Sequence, residues 1–166
     1  MANEILLNLD REYAAFEGTA EKAVEFLDQY RKIDSSLFWS ESERKLKEFR
    51  AAIKTGKKNH ELVDYVHEIE TNFSSILGHI DKIEHQAQDM YNAIAKVAKD
   101  VPSQKQTLEF LKKTEPSEGI DILYERAKRI ESSANVLMPK LEAFNIAAPK
   151  FLGRFRTLKN YADAMK

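Results

Sequence analysis

A heptad repeat in the middle of the chain constrains the fold more than any other feature of the sequence. Between residues 62 and 101, apolar side chains recur at alternating steps of four and three residues. This central seam consists of Leu62, Val66, Ile69, Phe73, Ile76, Ile80, Ile83, Ala87, Met90, Ile94, Val97 and Val101. A spacing that averages 3.5 residues keeps one side of a helix against a partner helix over many turns. Because the other sides of this stretch are polar, it needs partner helices to bury the seam.

Two further heptad seams flank the central one. A first helix is predicted from about Asn3 to Ile33. Its apolar positions are Leu6, Leu9, Tyr13, Phe16, Ala20, Ala23, Leu27 and Tyr30. A last helix is predicted to begin near Pro116, since proline favours the first turn of a helix. Its seam consists of Ile120, Leu123, Ala127, Ile130, Ala134, Leu137, Leu141, Phe144, Ala148, Phe151, Phe155, Leu158 and Ala162.

Pro139 and Pro149 lie inside the last seam. Proline removes one hydrogen bond of a helix and clashes with the preceding turn. The heptad phase is nevertheless the same before, between and after the two prolines, and both fall on the side opposite the seam. The pattern therefore predicts one long helix bent at the prolines, and not three separate helices.

The connection between the first and the central helix contains the signals of one short helix. Ser40 followed by Glu43 has the spacing of a capping box. A short helix is therefore predicted over Glu41–Lys54, after a connector over residues 35–39. Gly56 is placed to end this helix, because glycine adopts the left-handed conformation of a helix C-terminus at little cost.

The central helix has signals at both ends. Asn59 is placed to cap its first turn. We expect the helix to close near Lys99, because the residue that precedes Pro102 disfavours the helical conformation. Residues 103–113 are then predicted to form a second short amphipathic segment around Leu108 and Leu111.

Together these patterns predict an all-α fold. The sequence has no useful stretch in which apolar and polar residues alternate, so no strand is predicted. Long helices joined by short connections pack as antiparallel neighbours. We therefore predict an elongated antiparallel bundle of three long heptad-patterned helices with two short connecting helices, in a single domain over residues 1–166.

Composition excludes several classes of protein. The chain has no cysteine, which excludes disulfides and thiolate metal sites. Met1 is followed by Ala-Asn-Glu without the basic and apolar segments of a secretory leader, and no run approaches the ~18 apolar residues of a membrane span. We therefore expect a cytoplasmic protein.

The residues that usually carry chemistry do not occupy the seams. The four histidines, His60, His67, His79 and His85, fall outside the core positions, and no Glu or His lies at a core position. A metal site in a helical bundle needs inward-facing Glu and His side chains. Phosphate-binding glycine loops, nucleophile elbows and dinucleotide fingerprints are also missing from the sequence. We predict a protein that is not an enzyme and that holds no cofactor and no metal.

Charge is unevenly distributed along the chain. Residues 1–34 carry eight acids and four bases, and residues 59–101 carry eight acids and three bases. Residues 35–58 carry three acids and seven bases, and residues 117–166 carry six acids and nine bases. Opposite charges beside neighbouring seams can select helix partners, which is the first interpretation of the bases. The net charge of −1 gives no field that would attract nucleic acid, so nucleic acid is not an expected partner.

Two sets of side chains are candidates for binding a partner. Phe38 and Trp39 either plug the end of the bundle or anchor a partner, since tryptophan is enriched at binding hot spots. The bases of the last helix either pair with acidic helices or bind phosphate groups, and they are Lys140, Lys150, Arg154, Arg156 and Lys159. Ile146 and Leu152 lie outside the seam beside these bases, where they either form an exposed apolar patch rimmed by charge or are covered by one of the short helices. The candidate partner-binding residues are therefore Phe38, Trp39, Ile146, Lys150, Leu152, Arg154 and Arg156.

These observations favour a non-enzymatic protein–protein interaction module, such as an adaptor, a chaperone-like binder or an assembly subunit. The expected partner is a protein, and a second copy of the chain is one of the partners considered. The alternative is a peripheral membrane-binding module that uses the basic, proline-containing last helix. Co-sedimentation with anionic liposomes would separate the two interpretations.

Overall fold

The computed structural model describes residues 2–166, apart from the side chain of Ala2, and Met1 lies outside the described residues. Its helices are α1 (Ala2–Gln29), a 3₁₀ turn (Arg31–Asp34), α2 (Ser36–Thr55), α3 (His60–Asn72), α4 (Ser74–Leu77), α5 (Ile80–Thr114) and α6 (Glu118–Ala164). Residues 2–166 contain no strand, and the predicted all-α bundle is confirmed. None of the helices in the described residues combines the length and the apolarity needed to span a lipid bilayer.

The chain packs as two compact units. The first unit contains the residues up to Asp28 together with Ala87–Ala143. The second unit contains Gln29–Gln86 together with Phe144–Lys166. Helices α5 and α6 therefore contribute residues to both units. The single domain over residues 1–166 stays a prediction.

In the first unit, α5 runs antiparallel to the first part of α6. Lys105 forms an ion pair with Glu131 (3.7 Å), and Lys112 forms one with Asp121 (3.3 Å). A residue that lies later in α5 thus contacts a residue that lies earlier in α6. In both pairs the base lies on α5 and the acid on α6, which is the reverse of the signs that the charge excess of residues 59–101 and 117–166 predicts.

In the second unit, α2 runs parallel to the last part of α6. The Phe38 ring centroid lies 4.7 Å from that of Phe151, and Phe49 stacks on Tyr161 at 6.0 Å. The ring of Phe73, which follows α3, lies 5.2 Å from Phe151. Aromatic side chains from three segments therefore meet in the core of this unit.

The predicted seams form the core. Every residue of the last seam, from Ile120 to Ala162, is buried. In the central seam, Met90 and Val97 are half-buried and the other residues are buried. The first seam is buried at Leu9, Tyr13, Phe16 and Ala23 and half-buried at its other positions. The heptad assignment is thereby confirmed.

Helix α1 ends earlier than the sequence predicts. It stops at Gln29 instead of continuing to Ile33, and the next residues form the 3₁₀ turn, in which Ile33 is fully buried. The indole nitrogen of Trp39 donates a hydrogen bond to the carbonyl oxygen of Ile33 (3.1 Å). This bond and the burial of Ile33 hold the turn in place.

Helix α2 begins earlier than predicted, at Ser36 instead of Glu41, so Trp39 lies in a helix and not in a connector. The buried residues of α2 follow at steps of four and three, and they are Phe38, Ser42, Leu46 and Phe49. Such steps define one face of a helix. Because Ser42 is polar, the apolar pattern is broken between Phe38 and Leu46. The sequence therefore does not show that the turn around Phe38 belongs to the same helix. The helix start predicted from the capping box at Ser40 is therefore wrong.

The central helix is interrupted where a continuous helix was predicted. Helix α3 ends at Asn72, α5 begins at Ile80, and the four-residue helix α4 lies between them. Gly78 and a run of Thr, Asn and Ser residues lower the helix propensity of this stretch. The seam residues Phe73 and Ile76 nevertheless remain buried. The interruption thus changes the backbone and leaves the buried side unchanged.

Helix α5 continues through Pro102 to its end. The predicted end near Lys99 and the separate short segment over residues 103–113 are therefore wrong. Pro102 is exposed, so its missing hydrogen bond lies away from the core, and Leu108 beyond it is fully buried. Continued burial of the same helix side outweighs the loss of one hydrogen bond. Helix α6 is likewise continuous through two exposed prolines, as predicted.

Gly56 ends α2 in the left-handed conformation (φ 70°), and its amide and the next one donate to the carbonyl groups of Ile53 and Ala52. We expect Gly56→Ala to lower the free energy of unfolding by about 1 kcal/mol, because a Cβ disfavours this conformation. Gly18→Ala is the matched control, in the interior of α1 with no atom near the added methyl group. It should raise stability by about 1 kcal/mol. Urea denaturation measures both, and changes of the same sign would contradict this explanation.

Candidate interaction site

Phe38 and Trp39 make their contacts within the second unit. The Phe38 ring is buried between Phe151 and Phe73, whose centroids lie 4.7 Å and 6.1 Å away. The rings of Trp39 and Phe38 are nearly perpendicular (centroids 5.3 Å apart), and the guanidinium group of Arg154 lies over the Trp39 ring (5.2 Å). Together with its indole hydrogen bond, Trp39 therefore uses both its ring and its hydrogen-bond donor inside the chain. These contacts support the packing interpretation, and partner binding by the two residues stays a prediction.

Two of the candidate bases of α6 are paired with acidic side chains. Arg154 Nη1 donates to Ser42 Oγ (2.9 Å), and its Nη2 lies 3.2 Å from Glu43 Oε2. Lys159 Nζ donates to Glu70 Oε1 (2.8 Å), and this hydrogen bond lowers the pKa of the Glu70 carboxyl group. Lys159 thus pairs with α3, in an acidic segment as the helix-pairing interpretation expects, whereas Arg154 pairs with an acid of α2, in a segment with an excess of bases.

The other candidates on α6 lie at its surface. Ile146 is 56% exposed, and Leu152 is half-buried. Lys150 and Arg156 are exposed, and neither forms an ion pair within residues 2–166. Lys140 belongs to the first unit. In the second unit, the basic cluster predicted on α6 is thus reduced to two free cations beside one exposed apolar side chain.

Unpaired cations are concentrated on α2 instead. Its outward side carries Arg44, Lys47, Arg50 and Lys54. All four are exposed, and none forms an ion pair in the part of the chain that the structure describes. With 3.6 residues per turn, they fall within about one third of the helix circumference, opposite the buried side. We call these four residues the α2 basic face. Ile53, which is 45% exposed, borders it.

The nearby acids do not neutralise the α2 basic face. Glu43 pairs with Arg154, and Glu48 pairs with Lys45 (3.6 Å). The second unit as a whole carries fifteen bases and eleven acids. The excess of bases in residues 35–58 is the sequence signal for this face. Pairing with acidic helices, the first interpretation of that excess, does not occur for these four residues.

In the first unit, the excess charge is acidic. This unit carries sixteen acids and eleven bases. Arg126 Nε donates to Glu17 Oε1 (3.1 Å), and the terminal nitrogens of Arg126 donate to Asp10 and Glu17. Three acids near the end of α1 are exposed and form no ion pair within the described residues, and they are Glu21, Glu25 and Asp28. We call these three residues the α1 acidic face.

Tyr65 makes the stability of the second unit depend on pH in the alkaline range. Burial raises the pKa of Tyr65 to about 12 from its ordinary value of 10.0, and Glu41 adds to the shift. As pH rises above 10, the unfolded chain therefore loses this proton before the folded chain does. The contribution of Tyr65 to the free energy of unfolding is fully present below pH 10 and is lost as pH rises through about 12.

We expect wild type to lose stability relative to Tyr65→Phe as pH rises from about 9 to about 11. The comparison cancels the other groups that titrate in this range. Chemical denaturation of both proteins at the two pH values measures the change. A stability difference that is independent of pH would contradict it.

Side chains that could bind a metal ion do not cluster in residues 2–166. No set of three or more His, Asp or Glu side chains in that range is placed to hold a metal ion. Burial raises the pKa of Glu84, and the charge of Asp81 adds to the effect. The Nδ1 atom of the neighbouring His85 is hydrogen-bonded to the Asp81 carbonyl oxygen (2.7 Å).

Comparison of the chain with protein-family models, with curated proteins and with solved structures finds no match. The charges, contacts and exposed side chains described above are therefore the basis for a functional proposal.

Proposed function

We propose that this chain is a non-enzymatic protein-interaction module and that it contacts its partner through the α2 basic face. The row of four exposed cations without ion-pair partners is the observation that carries this proposal. Like charges three and four residues apart repel each other on a helix. A partner with an acidic surface would relieve this repulsion.

The neighbourhood of the α2 basic face fits a protein partner. Ile53 borders the face and offers one exposed apolar side chain beside Arg50 and Lys54. Protein interfaces combine apolar contacts with a polar rim, and complementary charge increases the rate of encounter and the specificity. We place this activity in the cytoplasm, where a chain without cysteine needs no disulfide. An adaptor or a subunit of an assembly would act in this way.

Affinity capture from the native cell tests the proposal. We expect Lys47→Glu/Lys54→Glu to lose the captured partner while its melting temperature stays unchanged, because both side chains are exposed. Lys150→Glu/Arg156→Glu is the matched control, with the same change in charge on exposed residues of the same unit. It should retain the partner. Equal recovery of the partner by both variants would contradict the proposal.

A peripheral membrane-binding module is the second candidate. The observation that favours it is exposed Ile146 on the same helix as the free cations Lys150 and Arg156. Anionic liposomes would then bind the chain at low salt, and Lys150→Glu/Arg156→Glu would abolish the binding. Two cations supply a weaker attraction than the four of the α2 basic face, so contact through α2 is the leading proposal.

A further inference from the structure

Three of the four residues of the α2 basic face match the α1 acidic face in their spacing along the helix. Glu21, Glu25 and Asp28 follow at steps of four and three residues, and they all lie on the outward side of α1. Lys47, Arg50 and Lys54 follow at steps of three and four residues on the outward side of α2. Each set spans eight residues, which is a rise of about 10 Å along the helix. Three pairs of opposite charge can therefore form together when the two faces meet.

The chain leaves all six of these side chains free. Each of them is exposed, and none forms an ion pair within residues 2–166. Other charges on the same helices are already paired, since Asp10 and Glu17 contact Arg126, and Glu43 contacts Arg154. All six side chains are therefore available to bind a second molecule.

Each face also has an apolar neighbour. Val24 lies beside the α1 acidic face and is 56% exposed, and Ile53 lies beside the α2 basic face and is 45% exposed. Both are β-branched side chains with little rotamer freedom to lose on binding. When the opposite charges bring the two faces together, these side chains would add buried apolar area to the contact.

We propose that the α2 basic face binds the α1 acidic face of a second copy of this chain. The proposal rests on the proposed function and names the partner as the chain itself. The opposite charge excess of the two units, acidic in the first and basic in the second, favours this pairing of unlike surfaces. Because exposed ion pairs are weak one by one, the association is reversible and sensitive to salt.

Analytical ultracentrifugation of the full chain tests the contact. At about 0.05 M salt we expect the weight-average mass to rise above the monomer value as concentration increases. The monomer mass is 19.1 kDa. At about 0.5 M salt the protein should return to the monomer. A monomer at every concentration in low salt would overturn the proposal.

Charge reversal identifies the surfaces. Lys47→Glu/Lys54→Glu and Glu21→Lys/Glu25→Lys should each weaken association by about tenfold or more, because each places like charges against each other. An equimolar mixture of the two variants should associate again, since it combines one intact acidic face with one intact basic face. Lys150→Glu/Arg156→Glu should associate as wild type does. Association that survives both reversals, or a mixture that stays monomeric, would overturn the proposed contact.

Failure of this inference differs from failure of the proposed function. If wild type stays monomeric while Lys47→Glu/Lys54→Glu still loses a partner captured from the cell, the second copy is the wrong partner and the interaction module stands. If neither self-association nor capture depends on Lys47 and Lys54, both proposals fail. Circular dichroism of each variant shows whether it is folded, and the exposed positions predict unchanged helix content.

Discussion

Replacing Phe151 with alanine should lower the free energy of unfolding by about 3–5 kcal/mol. The ring is fully buried, and its centroid lies 4.7 Å from Phe38 and 5.2 Å from Phe73. The substitution removes the side chain that joins α2, α6 and the segment after α3, and it leaves a cavity. For a chain of this length, we expect the melting temperature to fall by roughly 10 °C.

Ile146→Ala is the control for this prediction. Ile146 lies on the same helix but is exposed, so the same kind of truncation should change stability by less than about 0.5 kcal/mol. Thermal unfolding followed by circular dichroism compares the two variants. Similar losses at both positions would show that the aromatic contacts do not form the core of the second unit.

Leu141→Asp is expected to prevent stable folding of the first unit. Leu141 is fully buried in the last seam, five residues before Ile146. A carboxylate at this position would lose its hydration without gaining a cationic partner, which costs several kcal/mol. Loss of most helical signal at 25 °C, or a melting temperature lowered by well over 10 °C, is the expected result.

Val136→Asp is the control that introduces the same charge at an exposed position. Val136 belongs to the same helix and the same unit as Leu141, and it is exposed. Its change to aspartate should leave the protein folded, with a loss of about 1 kcal/mol or less. If Leu141→Asp kept the melting temperature of wild type, the heptad register of α6 would be wrong.

The seams were predictable because a heptad pattern depends only on which side of a helix is buried. The last seam is buried from end to end although two prolines lie within it, since these prolines fall on the outward side. Helix ends were less predictable. Ser42 occupies a core position as a polar residue, and its hydroxyl group accepts a hydrogen bond from Arg154. The bond joins residues far apart in the chain and cannot be read from the local sequence. The predicted start of α2 therefore differs from the observed one.

The candidate site was predictable only in part, because ion pairing depends on which helices face each other. The sequence shows an excess of bases both before residue 58 and after residue 117. On α6, Arg154 and Lys159 find acidic partners on α2 and α3. On α2, the cations of the basic face find none in the described residues. Which cations stay free therefore depends on how the helices pack, and composition alone does not show it.

Lysine footprinting in the native cell tests the central claim, that the α2 basic face contacts a protein partner. A reagent that modifies exposed amines is applied to cells and to dilute purified protein, and modification is measured at each lysine. Lys47 and Lys54 should be modified less in the cell than in the dilute protein, whereas the exposed Lys99 and Lys113 of the first unit should be modified equally in both. Equal modification of Lys47 and Lys54 in the cell and in the purified protein would contradict the claim.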